Sequence, residues 1–286
     1  MKNPVYYREV IRSMRAPRMI LSIFIFNMLL FIVGMFSLFY ASVGSGTEEH
    51  VDYDAVLQLY RLIAFFLFGL MAIMMPVITS GSISGERERN TFDILLSTGI
   101  NEYYIIFGKL TAAISIIMTL MISTLPVLSL VFVYGGIRFL GLIKLLLVLI
   151  AEAFYIGSIC LVFSSFARTQ TFSLICSFAV ILSITLGTYF GVYMLSEPAG
   201  EIAGVLSPVL YLNPMLTFII FIFEQVGDVG TAASLLEQLC IKRSSIIGTH
   251  FIKSSIVLQI VVSLILLAVC EKFLEGKRFV KSVSDD

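Results

Sequence analysis

Runs free of Asp, Glu, Lys and Arg divide the chain into apolar stretches. They run from Met19 to Thr47, Leu62 to Gly85, Leu110 to Ile137, Leu145 to Phe166 with Glu152 inside it, Thr169 to Ser196, Ile202 to Phe223 and Ser254 to Cys270. A hydrocarbon layer about 30 Å thick takes about 20 residues at 1.5 Å each, so each stretch is a candidate span. An odd count would put the termini on opposite sides, yet basic residues crowd both ends: Lys2, Arg8, Arg12, Arg15 and Arg18 before the first stretch, and Lys272, Lys277, Arg278 and Lys281 after the last. Both ends therefore read as cytoplasmic. An even count also gathers Arg87, Arg89, Lys109 and Arg168 inside and leaves Arg61, Arg138, Lys144, Lys242, Arg243 and Lys253 outside, a minority of the 19 basic residues. The stretch that fails to cross is Ile202 to Phe223, broken by Gly204, Pro208, Asn213 and Pro214. It is expected to dip into the outer leaflet and return, its free backbone groups buried in protein or facing water.

The predicted fold is an all-α polytopic membrane protein, one transmembrane domain over 1–286. Six transmembrane helices are expected at 19–43, 59–80, 104–134, 141–166, 170–194 and 251–272, with a cytoplasmic loop at 81–101 and an outer, partly re-entrant region at 195–250. Composition supports the class: 58% hydrophobic, 13% charged and a mean hydropathy of +0.99 exclude a soluble globule, and 13% aromatic residues exclude a disordered chain. A net charge of 0 supplies no field for nucleic acid. The first helix has a basic front, but its apolar length far exceeds the roughly 7 to 15 residues of a signal-peptide core, so it is expected to stay as a span.

Candidate chemistry is sparse. Cys160, Cys176 and Cys270 fall inside predicted helices and Cys240 outside, which forbids an intrachain extracellular disulfide framework; Cys240 is either a plain small apolar residue or a bridge to a second subunit. His50 and His250 make no metal-binding or nucleophilic constellation with each other, which argues against an intramembrane enzyme. Gly108-Lys109 and Gly276-Lys277 lack the glycine spacing and the following Ser or Thr of a phosphate-binding loop, so the chain has no nucleotide site of its own.

Two cytoplasmic elements stand out. Asn3 and Pro4 open a helix over 4–18 that sets Tyr7, Val10, Ile11 and Met14 along one side and Arg8, Arg12 and Arg15 along another, an interfacial pattern, before Pro17 turns the chain into the membrane. Its role is either a topology anchor or a partner contact. Between the second and third spans, Glu86-Arg87-Glu88-Arg89 precedes Asn90, an expected N-cap with Asp93 at the third helical position, and Gly99 as a stop. Phe92, Leu95 and Leu96 share one face of a helix about two turns long, too short to persist unless docked.

The segment from Ser84 to Thr98 (SGERERNTFDILLST) resembles the pattern after the second span in membrane subunits of ABC-2 type ABC transporters, roughly S-x-E-R-E-x-G-T-x-E-x-L-L-x-T. Asn90 stands at the usual glycine, Asp93 at the usual Glu and Gly99 where proline is common. The resemblance extends over the whole chain, including the apolar segment with Leu212-Asn213-Pro214 between spans five and six. It implies an export permease that pairs with a second, identical or different, permease subunit in the cell membrane, each seated on a separate cytoplasmic ABC ATPase that binds ATP and Mg; this chain itself holds no cofactor and is not an enzyme. The short helix would then be the coupling helix, with Phe92, Leu95 and Leu96 as its packed face, Thr91 and Asp93 at its start, and Glu86, Arg87, Glu88 and Arg89 giving salt-bridge register to the ATPase or to neighbouring helices. The cargo, whether peptide, drug or lipid-like, is not specified.

Glu152, near the middle of the fourth span, is either part of a pathway or a protonated or locally paired structural residue. Gly187 and Gly191 form a G-x-x-x-G pair, a weak pointer to a helix-packing face, and Pro76 and Pro126 are expected to bend spans two and three. An ion-coupled carrier or channel would call for several facing charges at mid-membrane, where the sequence offers one Glu. A non-transporting sensor or assembly factor that uses the same ATPase-docking loop stays open.

Overall fold

A computed structural model describes residues 4–15, 17–44, 53–91, 102–128, 138–196, 207–239 and 250–284, and among them the regular structure is helical throughout. In chain order these are α1 (Pro4–Met14), α2 (Pro17–Gly44), α3 (Tyr53–Glu88), α4 (Glu102–Ser123), α5 (Phe139–Phe166), α6 (Gln170–Leu182) joined through a π-helical turn (Ser183–Gly187) to α7 (Thr188–Ser196), a 3-10 turn (Ser207–Leu212), α8 (Pro214–Val226), α9 (Val229–Gln238) and α10 (Phe251–Ser284). Among the described residues, five segments, Val56–Glu88, Glu102–Ser123, Phe139–Phe166, Gln170–Leu195 and Phe251–Glu275, are long and apolar enough to cross a membrane, and Ile20–Phe36 of α2 and Pro214–Val226 of α8 are shorter apolar stretches.

α5 is the central post. Leu145, Leu149, Ala153, Ile156 and Cys160 recur at helical spacing and are buried, as are Tyr155 and Ile159 on its other side. It packs chiefly on α3 and α10. α3 answers with a stripe of Tyr60, Ile63, Leu67, Met71 and Met75, all buried. Where α3, α4 and α5 cross, Gly157 admits them: a Cβ there would collide with Met75 Cε and lie 2.7 Å from Leu110 Cδ1. α2 is peripheral. Among its described residues Phe26, Leu30 and Gly34 are the buried ones, one residue per turn, against α3 with Phe26 stacked on Phe66; Phe24, Phe31, Ile32 and Phe36 face outward.

The helix ends depart from the expected ones for local chemical reasons. α3 passes the expected end at 80 and reaches Glu88 because its small polar residues satisfy backbone carbonyls from within: Thr79 Oγ1 donates to Met75 O (2.6 Å), Ser82 Oγ to Thr79 O (2.7 Å) and Ser84 Oγ to Ser80 O (2.5 Å). Residues 81–88 therefore belong to the helix and not to the 81–101 loop. Asn90 ends α3 in the left-handed region (φ 56°). Its amide donates to Arg87 O (3.0 Å) and that of Thr91 to Glu86 O (2.9 Å), a Schellman closure, so the residue expected to start the next helix finishes the previous one. α4 ends at Ser123, where Thr124 interrupts the helical run before a further helical turn at 125–128, and the rest of the expected extension to 134 lies outside the described residues. Thr124 turns both its amide (3.2 Å) and its hydroxyl (2.7 Å) onto Met121 O. Pro76 is carried inside α3.

The broken stretch before α10 folds into a helical hairpin. Asn213 caps α8 with Pro214 at its first position; Gly227 at φ 89° ends it, and Asp228 caps α9 through Thr231. Arg61, near the start of α3, meets Asp228 at 3.8 Å and sits over the Phe223 ring, while Tyr60 donates to Gln225 (2.9 Å). Thr231, through its hydroxyl and amide, holds the exposed Asp228 carboxylate below the usual range. The hairpin thus lies at the α3 end opposite Glu88, roughly 40 Å away at 1.5 Å per residue, about one bilayer with its headgroups.

Filling the three-helix crossing tests this packing. Gly157→Leu is expected to cost about 1–3 kcal/mol by overpacking and to lower the melting temperature in detergent, whereas Gly191→Leu, with nothing within 4 Å of its Cβ position, is expected to leave it unchanged.

Candidate functional site

The residues of the Glu86–Arg89 run diverge from the end of α3 toward different helices. Lys109 of α4, 3% exposed, donates to Glu86 Oε1 (2.8 Å), to Ser82 O (2.7 Å) and to Glu9 Oε1 of α1 (3.3 Å). A lysine this deep requires such partners, because a buried ammonium without a counter-ion is strongly destabilising. One ammonium thus ties α1, α3 and α4 together.

Arg87 reaches the end of α5. Its Nη1 donates to Ala167 O (2.8 Å) and Phe166 O (3.5 Å), and Nη2 to Ser165 O (2.8 Å). The last carbonyls of a helix have no partner within it and carry the negative end of its dipole, so a planar cation with forked donors fits there better than any other side chain. Glu88 does the converse at the start of α6, accepting from the Gln170 amide (3.0 Å), where Thr169 also caps through Phe172 N. Cation on the carbonyl end and anion on the amide end lock the turn between α5 and α6 to α3. Arg89 is exposed, as is Thr91, whose hydroxyl donates to Glu86 O (3.1 Å). Phe92, Asp93, Leu95 and Leu96 lie outside the described residues, as does Cys240.

Just before this run the α3 ladder accepts a foreign group. Ser164 Oγ of α5 donates to Ser80 O (2.7 Å) and accepts from the amides of Ile83 (3.0 Å) and Ser84 (3.1 Å). A hydroxyl bonded to one carbonyl and two amides of the α3 backbone fastens this turn to α5. Gly81 and Gly85 leave room beside it for the Gln170 side chain, whose Nε2 is 2.6 Å from where a Cβ on Gly81 would sit.

α1 packs on α4 through Val5, Tyr6 and Glu9. Val5 is buried, and Tyr6 and Ser115 hydroxyls meet at 3.1 Å. Arg8, Arg12 and Arg15 are exposed. Tyr7 and Met14, on the expected membrane-facing side, are left uncovered by the bundle.

Two polar nodes lie at mid-bundle and toward the hairpin. Glu152 is fully buried and faces the Gln259 amide of α10, which can satisfy an ionised carboxylate by turning its Nε2 toward it. In that orientation Nε2 is 3.1 Å from both carboxylate oxygens and Oε1 is 3.2 Å from Thr217 Oγ1 and Ser255 Oγ. Thr217 and Ser255 meet at 2.5 Å, and Ser255 donates to Tyr211 O (2.6 Å), so α5, α8, α10 and the 3-10 turn share one polar network. The second node is Asn213, whose Nδ2 donates to Thr185 O (2.8 Å) and Thr188 Oγ1 (2.9 Å) at the π-helical turn while its Oδ1 accepts from Leu216 N (3.0 Å). Gly187 and Gly191 are both exposed, and among the described residues no other helix lies within 4 Å of the Cβ position of either.

The sequence signal for Lys109 was a cation following an apolar turn, Tyr104 to Gly108. Gln259 and Asn27, which donates to Ser123 Oγ (2.8 Å), gave none to a search for charges, being neutral. Among the described residues no three His, Cys, Asp or Glu side chains gather as a metal site.

Removing the Arg87 fork should loosen the α5–α6 turn. Charge-assisted bonds contribute about 1.5–3 kcal/mol, discounted to about 1 kcal/mol for a half-exposed side chain, so Arg87→Ala is expected to speed amide exchange over 163–172 about fivefold; unchanged exchange would refute the capping role. At the buried node, Glu152→Leu and Gln259→Leu should each destabilise, and their double variant should recover about 1 kcal/mol relative to the sum. Additive losses would mean that the pair does not interact.

The described bundle can be set against known families. The model of the family described as ABC-2 family transporter protein matches residues 4–270. No curated protein matches the chain. The family match runs from the first turn of α1 well into α10 and takes in every helix between, and the chain therefore belongs to the ABC-2 family of membrane transporter proteins.

Proposed function

We propose that the chain is a permease subunit of an ATP-binding cassette exporter, paired with a second permease subunit in the cell membrane and driven by separate cytoplasmic ATPases that bind ATP and Mg. In this reading α2 is the first of six spans, α3, α4, α5, α6–α7 and α10 are the others, both termini are cytoplasmic, and the α8–α9 hairpin is the outer, re-entrant element. The segment that follows Glu88, with Phe92, Leu95 and Leu96 as its apolar side, docks in the ATPase as the coupling helix.

The observation that carries this reading is the anchoring of Glu86, Arg87 and Glu88 to α1, α4, α5 and α6. An external motor does work on a bundle only through a segment whose displacement strains several helices at once. Shifting a two-state preference from 1:99 to 99:1 takes about 5.5 kcal/mol of differential binding, which a loosely held loop would dissipate. Within this reading Glu86, Arg87 and Glu88 set the stiffness of the lever and the residues beyond Thr91 set its grip.

The two roles separate experimentally. When the chain is co-purified with its ATPase, Phe92→Asp with Leu96→Asp is expected to abolish association and permease-dependent ATP hydrolysis. Arg87→Ala is expected to keep association while losing most of the stimulation of hydrolysis. If the Phe92, Leu96 variant binds and stimulates like the parent, the docking assignment is wrong.

A further inference from the structure

Between α1 and the ends of α3 and α4 lies a cavity of about 550 Å³, a volume typical of ligand sites. Its charged lining consists of Arg8, Arg12, Arg89, Lys109, Glu9 and Glu86. Lys109 is engaged with both carboxylates. The three arginines have no acidic partner among the described residues, where the ion pairs are those of Arg61 and Lys109. Three guanidinium groups facing one concavity repel one another, and the arrangement is relieved by an anion that several of them can fork, above all a phosphate. Glu86 Oε2 is buried there without a partner, which leaves one acceptor beside the arginines for a hydroxyl of the same ligand.

The far wall is different in kind. Ile78, Ala112, Ala113 and Ile116 line the cavity away from the arginines, so its polarity falls from the mouth inward along α3 and α4. A soluble anion has no use for such a wall; a phosphate ester carrying hydrocarbon does. α1 itself, with Tyr7 and Met14 uncovered on one side and arginines on another, has the pattern of a helix at a bilayer surface, where lipid headgroups are the phosphate present at highest local concentration.

We propose that this cavity binds the phosphate of a phospholipid headgroup through Arg8, Arg12 and Arg89, with the first carbons of the lipid against Ile78, Ala113 and Ile116. The bound lipid joins α1 to the end of α3 alongside the Lys109 bridge. This assignment depends on the end of the bundle and not on the ATPase reading.

The test uses the full chain purified in mild detergent, with phosphatidylglycerol, diacylglycerol or inorganic phosphate added and lipid retention read by native mass spectrometry. Phosphatidylglycerol is expected to be retained, diacylglycerol not, and millimolar inorganic phosphate not to displace the lipid. Arg8→Gln with Arg12→Gln is expected to lower phosphatidylglycerol occupancy about tenfold, the corresponding double lysine variant about twofold, and Arg168→Gln, exposed on another turn, not at all. Full retention by the double glutamine variant at an unchanged melting temperature, or equal retention of diacylglycerol, would overturn the proposal. Ready displacement by inorganic phosphate would assign the site to a soluble anion instead, and a loss matched by Arg168→Gln would reduce it to a general charge effect; either result defeats the lipid assignment. Because the readout is lipid retention alone, failure of ATPase docking leaves it unaffected.

Discussion

A helix end in or near a membrane leaves carbonyls or amides that no water can reach cheaply, and the bundle around α3 is organised by how those ends are satisfied. The end of α5 presents carbonyls, the start of α6 presents amides, and the turn between them is only Ala167, Arg168 and Thr169. Adjacent residues of opposite sign on α3, Arg87 and Glu88, serve both. The same helix offers Glu86 to the buried ammonium of Lys109, which carries α4 and α1 with it. Alternating charge in the sequence thus becomes divergent charge in space, because successive positions on a helix point about 100° apart.

The distant end of α3 is fixed by weaker and wetter means, an ion pair at 3.8 Å and a single tyrosine hydroxyl bond to the hairpin. Between the two ends the chain relies on apolar packing around α5, interrupted by the Glu152–Gln259 network. α10 illustrates the trade: Ser255, Gln259 and Ser263 form the first half of its inward seam and Leu267, Cys270 and Leu274 the second, all buried. The polar half connects to the hairpin and the apolar half stays with the main core.

Charge-free length was enough to locate the five described segments long and apolar enough to cross, because a charge is costly through the middle of a span and cheap only near its ends. The ends were less legible. The end of α3 carries three serine and threonine hydroxyls bonded to its own carbonyls and closes at Asn90 in the left-handed region, and the same residue types also begin helices, so Asn90 reads equally well as a start. Pro126 follows directly on the interruption at Thr124, whereas Pro76 is carried inside an unbroken α3. Close approach was no easier to place: G-x-x-x-G spacing drew attention to Gly187 and Gly191, whereas the tight contacts among the described residues are at Gly81 and Gly157. Of the site, the run of charges was visible and its partners were not, since carbonyls of Ser165 and Ala167 leave no mark in a sequence. The neutral amides of Asn213 and Gln259 escaped a search built on formal charge.

Ser164 gives α3 a splice. With a neighbour's hydroxyl bonded to both Ser80 O and the amide of Ser84, the final two turns of this continuous helix are tied to α5 as well as to their own shaft. Bending α3 at this point has to stretch its bonds to Ser164, so the end of α3 and the adjoining turn of α5 yield together.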